Sequence, residues 1–297
     1  MGKASRRSRQ SASGQRAATP APAPFVSRPF EGLTGETDWV ALREILPAAT
    51  ATVRVAGDAV PEGADGTATI ATVLPLAWPG LHRTDGQVLV ATQSGSSTGD
   101  ASRDLAQVLL ATLAAEPGSP VTSTPQATAG TPRLQDLLDP AAPFEVTVHE
   151  GFDFWVEDVA DLDEEGRASL ERANAVAVPT RPLAGVTSAY WCRIGERTHL
   201  RWVLPQDEDR ATDALARLHA THDSGLGEGT RLLGAFRACG LLVPVWDLDP
   251  TREAADYEDE AAAWLKRYDQ ALAATEPLTA EERRARSGLL SRQVTLR

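Results

Sequence analysis

The chain has 297 residues, 42% of them hydrophobic, and a net charge of −12. That is long enough for one large domain or two ordinary ones with a real core. No apolar run approaches the ~20 residues that span a bilayer, and the basic N-terminus is not followed by a secretory h-region, so membrane and export classes are disfavoured. Two cysteines, Cys192 and Cys239, are too few for a disulfide framework and read as reduced thiols of a cytoplasmic protein.

The charge is uneven. Lys3, Arg6, Arg7, Arg9, Arg16 and Arg28 fall in residues 1–28, which hold no acid; the rest carries 23 basic against 41 acidic groups, or −18. An acidic body repels phosphate backbones, so contact with nucleic acid or the ribosome is expected only through the basic leader. That leader lacks apolar periodicity and is expected to be disordered over 1–27.

Beyond it, Thr37–Leu46 reads as a helix with Leu42, Ile45 and Leu46 on one face and Pro47 after its end. Ala51–Val55 and Thr67–Leu74 read as strands around a Pro61-Glu62-Gly63 turn, and Gln87–Thr92 as a third. Gln93–Asp100 is a Gly/Ser loop, Asp104–Ala115 a helix, and 117–130 a Pro/Thr/Ser-rich linker. Gly130-Thr131-Pro132-Arg133-Leu134 opens a short helix, with Thr131 as N-cap and Pro132 at its first position, and Phe152–Val156 follows as a strand. Asp163–Ala173 reads as a helix. Val176–Val178, Ala189–Arg193 and His199–Leu204 read as strands and Thr212–Thr221 as a helix. Gly229-Thr230-Arg231-Leu232 then opens another helical segment before the strand Leu242–Trp246. The long helix Ala254–Ala274 carries a stripe of Tyr257, Ala261, Leu265, Tyr268 and Leu272. Thr279-Ala280-Glu281-Glu282 is a capping box for a last helix, and Gln293–Leu296 is strand-like.

The middle of the chain reads as written twice. Pro75-Leu76-Ala77, the strand Val88–Ala91, the helix from Asp104, Gly130–Leu134 and Phe152–Val156 run parallel to Pro182-Leu183-Ala184, the strand Leu200–Leu204, the helix from Asp213, Gly229–Leu232 and Leu242–Trp246. The expected fold is therefore α+β: two duplicated modules with antiparallel or mixed sheets flanked by helices, related by a pseudo-two-fold axis. The division is a leader over 1–27, modules over 28–160 and 161–275, and a C-terminal helix and tail over 276–297. The groove between modules is the default ligand site.

Few residues point to chemistry. His219 and His222 stand at i, i+3 near a helix end, with Asp223 beside them; the spacing suits a metal, but no second ligand cluster accompanies it, so no metal and no cofactor are expected. Gly225–Arg231 is a glycine-rich turn into a helix. Its free N–H groups and Arg231 could hold an anion, or it is a glycine C-cap followed by a Thr230 N-cap. Ser94–Asp100 lacks the lysine of a phosphate loop. Trp155 and Trp246 match between the copies as core positions, while Trp78, Trp191 and Trp202 are candidates for a ligand-facing or partner-facing wall. No nucleophile elbow or cysteine–histidine pair supports hydrolase chemistry.

The segments Arg28–Leu33, Asp38–Arg43, Ala71–Pro75, Leu226–Arg231 and Arg292–Leu296 resemble an uncharacterised actinobacterial family, domain of unknown function 5926, over nearly the whole chain after the leader. That resemblance implies no activity and no catalytic residues. Some relatives carry an N-terminal cysteine-rich zinc motif; this leader has no cysteine, so neither the zinc site nor a translocase label transfers. Ala214–Leu248 is locally similar to the enhanced-serine-sensitivity protein family, which implies a small α+β binding module. The resulting expectation is a non-enzymatic cytoplasmic binding or adaptor protein with a protein partner. The alternative is an enzyme or small-ligand binder in the inter-module groove, using His219, His222 and Arg231.

Overall fold

The structure, a computed structural model, describes residues 21–60, 62–93 and 98–291. The expectations for residues 1–20, Ser94–Ser97 and the strand-like Gln293–Leu296 lie outside them. In chain order the first half contains α1 (Glu36–Glu44), β1 (Ala49–Arg54), β2 (Thr67–Ala71), β3 (Gly80–His82), β4 (Val88–Ala91), α2 (Ala101–Leu113), β5 (Ser119–Val121), α3 (Leu134–Leu137) and β6 (Val146–Val148). The second half contains α4 (Glu164–Asn174), β7 (Thr180–Pro182), β8 (Ala189–Ile194), β9 (Arg197–Trp202), α5 (Glu208–Ala220), β10 (Arg231–Ala238), β11 (Leu241–Leu248), α6 (Glu258–Ala273) and α7 (Ala280–Ser291). Helices and two separate sheets make the fold α+β, as the pattern predicts.

The first sheet has the order β5-β3-β4-β2-β1-β6 and is mixed, with β2 parallel to β4. The second has the order β10-β11-β9-β8-β7 and is antiparallel throughout. In both units a strand leads into a long helix, β4 into α2 and β9 into α5, but the parallel between the halves stops there. Gly130–Leu134 opens α3, whereas Gly229–Leu232 runs into strand β10. Phe152–Val156 holds a 3-10 turn at Asp153–Trp155, whereas Leu242–Trp246 is a strand paired on both sides. Similar apolar runs have been assigned different geometry by their neighbours: Leu233–Cys239 has β11 to pair with, and tertiary pairing overrides a short helical pattern.

The second sheet is the middle layer. Leu242, Trp246 and Leu248 of β11 pack under α5, α6 and α7, while Leu241 and Val243 join the other core with α1, α2, α3 and the first sheet. A strand covered on both faces reads as a continuous apolar run, which is what Leu-Leu-Val-Pro-Val-Trp spells. α1 is buried nearly all round at Thr37, Trp39, Val40, Ala41 and Leu42 because it lies between the sheets. Its entry needs Gly35: the backbone there is at φ 70, and a Cβ would meet the Phe144 ring at 2.9 Å. Phe144 and Trp39 stack at 4.2 Å.

Caps explain the helix starts. The Asp100 carboxylate accepts from the N–H groups of Ser102 and Arg103, so α2 begins three residues before the expected Asp104. Thr279 and Glu282 form the predicted capping box, with Glu282 Oε2 2.7 Å from Thr279 N. The expected stripe is buried at Tyr257, in a 3-10 turn just before α6, and at Ala261 and Tyr268, with Leu265 and Leu272 packed beside them, but its centre is Trp264, fully buried and missed by the pattern. Trp264 stacks on Tyr268 at 5.0 Å and meets Trp246 edge-on at 5.0 Å, each such pair worth roughly 0.5–1.5 kcal/mol beyond its buried area.

Two further differences matter. Val176–Val178 is not a strand; Val176 is exposed in a turn, and pairing starts at Thr180. The 117–130 linker contributes the edge strand β5 and holds the start of the described chain: Ala23 N donates to Ala127 O, and Pro22 bridges Thr128. Val26 N also donates to Gly99 O, so the leader expected to be loose through residue 27 is held at Pro22, Ala23 and Val26, while Phe25 is exposed. Arg28 then ties the halves together, bonding Glu36 at 2.6 Å and Pro205 O at 3.2 Å.

Candidate functional site

Four of the six residues singled out by sequence, His219, His222, Thr230 and Arg231, line one cavity of about 390 Å³, together with Asp223, Ser224 and Arg267. That volume is in the range of small-ligand sites. It belongs wholly to the second unit and does not lie between the halves, where the sequence reading placed it.

The cavity is built by the connection from α5 to β10. His222 closes α5 in the left-handed region at φ 65, and Asp223 N donates back to Leu218 O at 2.8 Å. The terminator is therefore a histidine, a residue type tolerated at positive φ, rather than one of the glycines that follow. The Ser224 carbonyl accepts from two buried indoles, Trp246 Nε1 at 2.8 Å and Trp264 Nε1 at 3.3 Å, which pins the loop to the aromatic core. His219 Nδ1 lies 3.0 Å from Ser224 Oγ.

Thr230 does not cap a helix. Its hydroxyl accepts from Leu226 N at 2.9 Å and Gly227 N at 3.1 Å and donates to Gly227 O at 2.7 Å, so it holds the glycine turn closed. Both helical readings of Gly225–Arg231, anion-binding N-terminus and N-cap, give way because a strand follows. Two of the amides expected to meet an anion, those of Leu226 and Gly227, are spent on Thr230.

Cationic groups remain. Arg267, from α6, donates through Nη2 to Gly225 O at 2.8 Å and Leu226 O at 3.3 Å, and has no carboxylate partner among the described residues. Arg231 is largely exposed at the mouth, with Asp247 3.4 Å away. Asp247 also stands 3.7 Å from His199, whose imidazole burial holds below its ordinary pKa despite that carboxylate. The lining thus carries two guanidinium groups and two imidazoles against one carboxylate, Asp223. Sequence gave no signal for Arg267 or Ser224: Arg267 sits off the apolar stripe of α6 and looks like any solvated arginine.

Trp191 and Trp202 line no part of this cavity. Both are 2% exposed in the core beneath the helices, Trp202 5.2 Å from Trp264 and Trp191 under the Arg193 guanidinium. An antiparallel sheet covered by three helices turns its aromatic face inward, so a count of tryptophans cannot tell wall from core. Among the described residues no group of three or more His, Cys, Asp or Glu side chains is placed to hold a metal ion. A second, larger hollow of about 460 Å³ does lie between the halves, lined by Phe25, Pro29 and Arg43 on one side and Glu208, Arg237 and Cys239 on the other. Burial and the nearby Glu44 push the Cys239 thiol up to about 12, which makes it a poor nucleophile. No helix among the described residues is long and apolar enough to cross a membrane.

No curated protein and no solved structure matches the chain. The local likeness of Ala214–Leu248 to the enhanced-serine-sensitivity family gains no support from the comparisons. One family does match, from residue 29 to residue 297, and the chain belongs to it: the family of unknown function DUF5926.

Proposed function

We propose that this chain is a non-enzymatic cytoplasmic binding protein whose polar cavity holds the anionic group of a small ligand. The observation that carries the reading is the convergence of Arg267, Arg231, His219 and His222 on one hollow where Asp223 is the one carboxylate among the described lining residues, with Asp247 beside Arg231 at the mouth. A guanidinium bonded only to carbonyls keeps its full charge for a ligand, and guanidinium–anion hydrogen bonds are about twice as strong as neutral ones. The Thr230 hydroxyl is occupied in shaping the loop, and the Ser224 hydroxyl, 3.0 Å from His219 Nδ1, is buried in the connection from α5 to β10, so the arrangement suits holding rather than attack. Two free thiols, Cys192 buried and Cys239 half-buried, support a reducing compartment.

Calorimetric titration with inorganic phosphate and with succinate tests the reading. Saturable binding to the intact chain, reduced at least tenfold in Arg267→Gln, is expected. Equal binding by the two proteins, or none at millimolar ligand, would remove the cavity from the function.

A further inference from the structure

Around the first sheet and its border with the second unit the chain places apolar side chains in water. Leu76 is 84% exposed and Val176 77%, and Val159 is also exposed; these are three of the five large exposed apolar side chains among the described residues. Leu76 is two residues from Leu74 and two from Trp78, and Leu74, Trp78, Phe154 and Trp155 pack as one cluster against that sheet. Ala177 packs in the adjoining cluster with Phe154 and Trp155, and Val176, its chain neighbour, is exposed in the turn before it. The base of the patch is pinned: Trp155 Nε1 donates to Val73 O at 2.8 Å, and Arg83 donates to Phe154 O and Val156 O. Leu76 and Ala77 both hold positive φ, 52° and 55°, in a turn where such angles normally call for asparagine or glycine.

The rim of this patch is acidic. Glu150, Asp153, Glu157, Asp158, Asp161, Asp163, Glu164 and Glu165 are all exposed, and residues 150–165 contain no lysine or arginine. Of the neighbouring cations, Arg181 pairs with Glu150 and Arg83 with Asp85, while Arg167 bonds only Leu162 O and keeps its charge, so the carboxylates remain in excess.

We propose that this face docks a cationic amphipathic segment of a partner protein, its apolar side seated on Leu76, Trp78 and Trp155 and its lysines or arginines against the acidic rim. The apolar patch makes the site and the charge selects the occupant. Nucleic acid and anionic lipid are repelled by the same carboxylates, and a second copy would bring two acidic rims together. The inference is independent of the anion cavity, which lies on the other unit.

The probe is a labelled 14-residue peptide of leucine and lysine patterned for an amphipathic helix, followed by fluorescence anisotropy with the full chain. A leucine–glutamate peptide of the same pattern is the control. Leucine–lysine binding should weaken as salt rises. It should fall at least tenfold in Leu76→Gly, which keeps the positive-φ turn allowed and so separates folding from docking. It should lose much of its salt dependence in Glu157→Gln/Asp161→Asn/Glu164→Gln. Binding unchanged in Leu76→Gly, or equal affinity for the leucine–glutamate peptide, would overturn the proposal. So would concentration-dependent dimerisation abolished by Leu76→Gly, which would assign the face to a second copy.

Discussion

The two sheets handle aromatic residues in opposite ways. Beneath α5, α6 and α7 the second sheet turns Trp191, Trp202 and Trp246 inward, where Trp264 and Tyr268 meet them, and leaves only a polar mouth at His222, Arg231 and Arg267. Outside the first sheet the cover is thinner, a 3-10 turn at Asp153–Trp155 and one face of α4 through Leu170, and Trp78, Phe154 and Trp155 stay half-buried with Leu76 in water. The lesson is that cover decides role. A three-helix lid frees polar loop residues to gather at its edge, whereas a thin cover leaves apolar surface facing solvent.

The sharpest way to break this comparison is to remove one tryptophan from each side. Trp264→Ala should destabilise the protein by about 3–5 kcal/mol, since a fully buried indole is lost together with its bond to Ser224 O. Trp155→Ala, half-buried, should lose about half as much. Equal losses in urea unfolding would mean that the outer face of the first sheet is as well packed as the second unit. Leu76→Gly should have an effect within about 1 kcal/mol of zero, because relief of the left-handed strain and the greater freedom of glycine in the unfolded chain nearly offset each other. A large fall in melting temperature would show that Leu76 serves folding rather than display.

A gentler contrast uses one histidine in each region. Burial lowers the pKa of both His149, which contacts Thr50 in the first sheet at 2.8 Å, and His199 in the second. Below an unfolded value of about 6.5 the unfolded chain takes up protons first, so stability is full above that pH and falls as pH drops toward the lower folded values. Asp38, raised mainly by burial, acts oppositely in the window just above its ordinary value. Melting temperatures between pH 7.5 and 5.5 should therefore decline, with a shallower slope in His149→Gln and in His199→Gln. An unchanged slope in either variant would mean that its imidazole is not held neutral.

How much of this was written in the residues depends on which force decided each element. Period and caps are local, so α1, α2, α4, α5, α6 and α7 could be read directly, as could the strands with β-branched alternation. Leu233–Cys239 could not, because its strand exists only by pairing with β11. The same holds for Phe152–Val156, which forms a 3-10 turn at Asp153–Trp155 and pairs with no strand among the described residues. For the cavity, His219, His222 and Arg231 were visible as neighbours in sequence. Arg267 arrives from a helix some 40 residues on and Ser224 is held by buried indoles, both consequences of packing that no local spacing encodes. The wall assigned to Trp191 and Trp202 failed for the same reason: which face of a strand is covered is a tertiary fact.

The most direct measurement of the central claim is a phosphate titration followed through the histidine ring signals by NMR. The chain has five histidines, two lining the cavity and three elsewhere, at His82, His149 and His199, so single substitutions assign every signal. The account predicts that the His219 and His222 signals move together and saturate while the other three stay still, and that neither moves in Arg267→Gln. Ring signals that stay fixed throughout, or shifts shared by all five histidines, would contradict an anion site at this cavity.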